Sequence, residues 1–238
     1  MLFRSRVATV TPLLDPSRLS VPAYAAYVER IHAITELVAG FNPHVILHVG
    51  VWEPHARLTT DQAEECTESV AKAVFQAAHA AAALETAVVR SGIEMYGAGT
   101  YTPHIAVEST PVAPTTTYGR MCATIEQQAT DLRISKGVNV CTLRLAPVLG
   151  AHVPSPLGRI LRLPVVPYHG LYNPAFSVVE DHDAAQAFML GAERNADGVV
   201  NIVANGAISM LRAITIGRRV PMPAFGPGWW LEIGRAHV

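Results

Sequence analysis

The chain has only three cysteines, Cys66, Cys122 and Cys141. An odd count without a C-x-x-C pair excludes a disulfide framework and a thiolate zinc cluster, and fits a reducing compartment. Charge is scarce too. Charged side chains make up 16% of the 238 residues and the net charge is -1, so the chain offers no basic field to a phosphate backbone and no nucleic-acid partner is expected. No apolar run reaches the roughly 18 residues that a membrane span requires, and Met1 to Arg6 is not followed by a stretch of signal-peptide type. No membrane partner is expected and the localisation read from this is cytoplasmic. His44 and His48 stand four apart on an expected strand without any H-E-x-x-H companion, so no metal site is expected.

What is present is apolar bulk: half of the residues are hydrophobic, enough for a sizeable core. Val45 to Val49 is a short apolar run after a Pro-containing turn, as expected of a buried parallel strand. Glu64 to Leu84 lacks Gly and Pro and repeats Val70, Val74, Ala77, Ala78 and Ala81 at helical spacing. Thr86 to Arg90 reads as the next strand. Tyr118 to Lys136 reads as a helix closed by Gly137, and Val138 to Leu145 as a strand after it. Val21 to Ala39 carries one or two further helices, and Asp181 and Asp183 are expected to cap a helix that begins at Ala184. Strands alternating with helices predict an α/β fold with a parallel sheet and right-handed crossovers.

Five motifs then occur in order around Tyr118-Gly-Arg-Met-Cys122. Val88-Val-Arg-Ser-Gly-Ile-Glu-Met-Tyr-Gly97 resembles the strand signature v-v-x-x-S-S-x-x-V-Y-G of the extended short-chain dehydrogenase/reductases, the NAD(P)-dependent epimerase/dehydratase family. Glu108-Ser-Thr-Pro-Val-Ala-Pro114 is similar to the family's E-x-x-P-x-x-P, and Tyr118-Gly-Arg-Met-Cys122 to its Y-x-x-x-K. Leu143 to Gly150 resembles its l-R-x-x-x-V-x-G strand, and Val178 to Ala185 and Val200 to Asn205 its two following segments. Phe41 to Gly50 is similar to the family's fourth strand, p-d-x-V-i-H-l-A.

The resemblance implies a Rossmann-like parallel sheet with NAD or NADP as cofactor and a nucleotide sugar or related small metabolite as substrate. It also allows a homodimer. Tyr118 takes the position of the acid/base tyrosine. A free phenol ionises near pH 10, so it needs a cation beside it to act near neutrality. The family's lysine supplies that charge, and its position here is Cys122. The family's Ser or Thr position is Gly92; Ser91 is the adjacent substitute, although neighbouring strand residues face opposite ways. His48 resembles the strand-four histidine beside the cofactor. Trp52 and His55 lie just past that strand, where such sheets bind ligands, and Arg144 either faces the substrate lobe or anchors the sheet. With both helpers gone, the chemistry is expected to be impaired; the alternative is a non-catalytic dinucleotide- or metabolite-binding protein on the same fold.

The family opens on a G-x-x-G-x-x-G turn whose helix N-terminus holds a pyrophosphate, and this sequence has none. The expectation is therefore a chain lacking the first strands of its sheet: residues 1–146 form a partial cofactor-binding domain and residues 147–231 supply substrate-lobe segments and returning sheet elements. Residues 232–238 end in Ile-Gly-Arg-Ala-His-Val, the translation of a common sequencing-library adaptor, and are set aside from the fold.

Overall fold

In the computed structural model of the chain, residues 33–51, 59–97 and 105–224 are described, apart from His152, Pro154, Tyr172 and Pro174. Most of the helical stretch 21–39 lies outside these residues. The described part begins with helix α1 (residues 33–41) and strand β1 (Val45–His48). Helix α2 (Thr60–Ala80) starts at a capping box in which Thr59 and Gln62 satisfy each other's backbone amides, the arrangement that fixes a helix start most firmly. Strand β2 (Thr86–Gly92) runs into a 3-10 turn (Ile93–Tyr96). Helix α3 (Thr117–Lys136) is capped by the Thr116 hydroxyl at one end and by left-handed Gly137, φ 72°, at the other, a conformation that glycine adopts without steric cost.

Strand β3 (Asn139–Leu145) follows, then β4 (Val148–Leu149), α4 (Pro156–Leu161), β5 (Val165–His169), β6 (Ala175–Phe176), β7 (Val179–Glu180), α5 (Asp181–Glu193), β8 (Gly198–Ile202), β9 (Ile208–Ser209), α6 (Met210–Ile216) and β10 (Val220–Ala224). The main sheet is parallel throughout in the order β1-β2-β3-β8. Three two-stranded sheets, β4 with β7, β5 with β10 and β6 with β9, lie outside it. Strand β8 therefore returns to the main sheet from the segment after Pro147.

Both faces of the sheet are covered. Ala87 and Val89 of β2 pack with Ala71, Phe75 and Ala78 of α2 and Cys122, Ile125 and Ala129 of α3. Val88, one residue out of phase, packs with Cys141, Leu143 and Phe188 of α5. Burial on both sides explains why these strands read as continuous apolar runs rather than alternating ones. The alanines of α2 serve a second purpose: Ala71, Ala77 and Ala78 are wholly buried, and side chains that small let the helix lie close against its neighbours. No strand pairs with the outer edge of β1 among the described residues, and Leu47 and Val49 there are exposed.

One local expectation is corrected. Helix α5 begins at Asp181 rather than Ala184, and Glu180 holds the N-cap position without a side-chain capping bond. Asp181 and Asp183 sit within the first turn, where carboxylates favour the positive end of the helix dipole.

Candidate active site

The carboxyl end of β2 and the first turn of α3 meet because Gly119 allows it. A Cβ at that position would lie 2.8 Å from the carbonyl oxygen of Glu94 and 3.0 Å from the Pro114 side chain, so any larger residue would push the start of α3 away from the 3-10 turn. The loop before α3 is held by Ala113, whose amide donates to the Met95 carbonyl at 2.9 Å. Together these contacts hold Tyr118 over the end of β2.

There the structure brings together Tyr118, Arg90, Gly92 and Glu94. The Arg90 guanidinium donates through Nη2 to the Tyr118 hydroxyl at 3.2 Å. A Cβ at Gly92 would lie 3.1 Å from Cε1 of the Tyr118 ring and 2.4 Å from Oε2 of Glu94. Position 92 thus stands beside the tyrosine ring, and the Glu94 carboxylate takes the space its side chain would need.

Ser91 faces elsewhere. It is fully buried and its hydroxyl donates to Oε1 of Glu126 at 2.5 Å, on the side of the strand that meets α3. Cys122 lies one turn after Tyr118, with no solvent exposure. Its thiol is pushed up to about 12, first by burial and then by the Glu94 carboxylate, against smaller opposing influences from Arg90 and Ser91. A thiol in that condition stays neutral at physiological pH and supplies neither a cation nor a nucleophile.

The position expected for substrate contact at Arg144 is taken into the interior instead. Its Nε and Nη2 fork the Glu126 carboxylate at 2.9 and 2.7 Å, the side chain is 6% exposed, and the guanidinium lies 5.0 Å from the centre of the Tyr96 ring. Tyr96 in turn donates to Asn201 of β8 at 2.7 Å. Glu126 therefore accepts from β2 through Ser91 and from β3 through Arg144, tying α3 to both strands. This geometry makes Arg144 the anchor of the sheet, the other of the two roles its motif leaves open.

His48 ends β1 and is 3% exposed, its ring 5.4 Å from that of Phe75. Among the described residues neither ring nitrogen has a hydrogen-bond partner. Burial depresses its pKa to about 4, and the nearby Arg90 cation acts in the same direction, so the imidazole is neutral at pH 7. Trp52 and His55 lie outside the described residues. Among the described residues a cleft of about 240 Å³ opens between α2 and α3. Its walls, Glu64, Thr67, Glu68, Arg120, Met121 and Thr124, include none of the groups around Tyr118. No group of His, Cys, Asp and Glu among the described residues could hold a metal ion, and no described helix is long and apolar enough to cross a membrane.

Sequence reading missed Arg90, Glu94 and Glu126. Two signals were available: Arg90 is a charge inside the otherwise apolar run of a buried strand, where an unpaired cation is costly, and Glu126 continues the helical stripe of Tyr118 and Cys122 at four-residue spacing.

Known proteins share this fold. The sequence profile of the NAD dependent epimerase/dehydratase family matches residues 8–202. Uncharacterized proteins of Mycobacterium tuberculosis and Mycobacterium bovis are 28% identical over 160 residues, covering 66% of this chain and 43% of their own length. The chain thus spans less than half of these curated relatives. Among solved structures, UDP-glucose 4-epimerase from Thermotoga maritima with UDP-glucose is similar at a TM-score of 0.69 and 15% identity, covering 83% of this chain and 70% of that one. UDP-glucose 4-epimerase from Brucella ovis in complex with NAD gives 0.68 and 16%, with 86% and 76% covered. dTDP-glucose 4,6-dehydratase from Bacillus anthracis in complex with NAD gives 0.68 and 14%, with 84% and 66% covered. At these identities the likeness is one of fold.

Proposed function

The chain belongs to the NAD-dependent epimerase/dehydratase family, and we propose that it serves NAD(P)-linked oxidation and reduction of a nucleotide sugar, with Tyr118 as the group that exchanges a proton with the sugar oxygen. The observation that carries this reading is the placement of the Tyr118 hydroxyl at the carboxyl end of the parallel sheet, 3.2 Å from a guanidinium. Ligands of open parallel sheets bind at that end, and a phenol next to a fixed cation is suited to proton exchange. The similar structures with NAD or UDP-glucose bound support the same substrate and cofactor classes.

The described residues fit the nicotinamide end of a dinucleotide. Tyr118 and His48 stand at the first turn of α3 and the carboxyl end of β1, the end of a parallel sheet where such a cofactor binds, and the two buried ring nitrogens of His48 have no partner among the described residues. When bound, NAD(P) supplies the hydride acceptor or donor. The residues of this chain do the rest: Tyr118 takes the hydroxyl proton as the sugar is oxidised and returns it on reduction, Arg144 and Glu126 hold α3 on the sheet, and Thr116 and Gly119 fix the tyrosine's approach.

A second reading is favoured by Gly92 and Cys122, which leave the tyrosine without the hydroxyl and ammonium found in the family: a protein that binds a dinucleotide or a metabolite and does not turn it over. One experiment separates the two. The chain is incubated with NAD+ and UDP-glucose or dTDP-glucose, and sugar products are followed alongside cofactor binding. Turnover abolished by Tyr118→Phe supports the catalytic reading. Cofactor or sugar binding without turnover, indifferent to Tyr118→Phe, supports the binding protein, and neither binding nor turnover refutes both.

A further inference from the structure

We propose that Arg90 is the cation that serves Tyr118 in this chain, a positioning residue on β2 that takes over the electrostatic work of the lysine absent at Cys122. The inference rests on the reading of Tyr118 as the proton-exchanging group. Three observations carry it. The guanidinium meets the phenol oxygen directly, at 3.2 Å through Nη2. The helix position one turn beyond Tyr118 holds a fully buried neutral thiol, so charge of the required sign does not come from position 122, and Arg120 on the same helix is directed to Thr117 and Glu64. And position 92, two residues along the same strand, has no side chain to stand beside the tyrosine ring.

The chemistry suits the task. Arginine has donors and no acceptor and stays protonated, so the Tyr118 oxygen must be the acceptor in this bond and the phenol proton is not consumed by it. The charge is also permanent over the range in which the phenol titrates. Other groups face the cluster: Glu94 from the 3-10 turn, Cys122 and Glu126 from α3 and His48 from β1. Cys122 and His48 are neutral at pH 7. The Glu94 carboxylate opposes Arg90, making the phenolate harder to form, and Glu126 is neutralised by its fork to Arg144. The sign is therefore testable from both sides: Arg90 eases Tyr118 ionisation and Glu94 resists it.

The test needs neither cofactor nor substrate. The full chain is labelled with 13Cζ-tyrosine, Tyr118→Phe identifies the Tyr118 resonance, and its chemical shift is followed against pH. We expect Arg90→Gln to move the ionisation midpoint up by about one unit or more, the size usual for loss of a neighbouring opposite charge. Arg90→Lys should keep it near the parent value, and Glu94→Gln should move it down. The other tyrosine resonances report whether each variant is folded. A midpoint that ignores Arg90→Gln, or one that Arg90→Lys raises as far as Arg90→Gln does, overturns the proposal. If Arg90→Gln is unfolded, the conservative Arg90→Lys and Glu94→Gln variants decide it, since an unmoved midpoint in Glu94→Gln together with a raised one in Arg90→Lys contradicts the electrostatic account. Failure here is distinguishable from failure of the functional reading: turnover that needs Tyr118 but ignores Arg90→Gln sinks this inference alone, whereas a responsive midpoint without turnover sinks the enzyme and leaves the charge relation standing.

Discussion

His48 should make the fold acid-sensitive in a defined window, and His48→Leu should remove that sensitivity. The imidazole is 3% exposed, without hydrogen-bond partners among the described residues, and titrates at about 4, whereas in the unfolded chain it takes a proton near 6.5. Between those values the unfolded state binds the proton and the folded state refuses it, so stability is complete above about pH 6.5, falls as pH drops, and levels off below about 4. A difference of about 2.5 units corresponds to about 3 kcal/mol across the window, of which about 2 kcal/mol is lost by pH 5. Leucine keeps the bulk against Phe75 and carries no proton; it should leave stability at pH 7.5 equal or slightly higher, because two unsatisfied buried nitrogens are gone. The assay is urea unfolding at pH 7.5, 6 and 5 for both proteins at equal ionic strength, comparing differences between them so that other titrating groups cancel. The parent should lose about 2 kcal/mol more than His48→Leu between pH 7.5 and 5. Parallel curves would show that the folded imidazole accepts its proton as readily as the unfolded one, and the argument from burial would fall.

Three other outcomes are expected. Glu126→Ala leaves the Arg144 cation and the Ser91 hydroxyl buried without their acceptor, and should cost about 3 to 5 kcal/mol in urea unfolding; Glu126→Leu combined with Arg144→Met should recover most of that, and strict additivity of the two changes would show that the fork is not coupled. Gly119→Ala should destabilise by about 1 to 3 kcal/mol and shift the Tyr118 resonance, because its Cβ would meet the Glu94 carbonyl at 2.8 Å; an unmoved resonance would mean that the close approach does not place the tyrosine. All three cysteines are buried, and the Cys122 thiol is held up at about 12, so a chromogenic disulfide reagent should titrate three thiols only after denaturation, and fast labelling of Cys122 in the native chain would contradict its burial.

The sheet was legible in the sequence wherever local signals agreed with the tertiary outcome. The apolar run at 45–49, the Gly- and Pro-free stretch of α2 and the terminating Gly137 each express a local rule, an apolar parallel strand, helical periodicity or a left-handed cap, that the structure keeps, although Leu47 and Val49 of that run stay exposed. Helix starts were less legible. A capping box is a matter of two side chains and was visible in principle at Thr59 and Gln62; the start of α5 was misplaced because Asp181 and Asp183 suit both a cap and a first turn, and only the backbone path decides between them.

By itself the sequence determined the family, the α/β alternation, the spacing that sets Tyr118 one turn before a thiol, and the absence of a hydroxyl at Gly92. Only the tertiary structure decided what replaces those groups. Arg90 is 28 residues from Tyr118 and on a different element, and no periodicity relates a strand position to the first turn of a later helix. Arg144 stood at its motif position and Ser91 next to the Ser/Thr position, yet the strand pleat and the packing of α3 commit both to Glu126. A motif records which residue types stand at which spacing, whereas the partner of a charge is chosen by the distance that folding leaves between side chains, and by the cost of burying any charge without one.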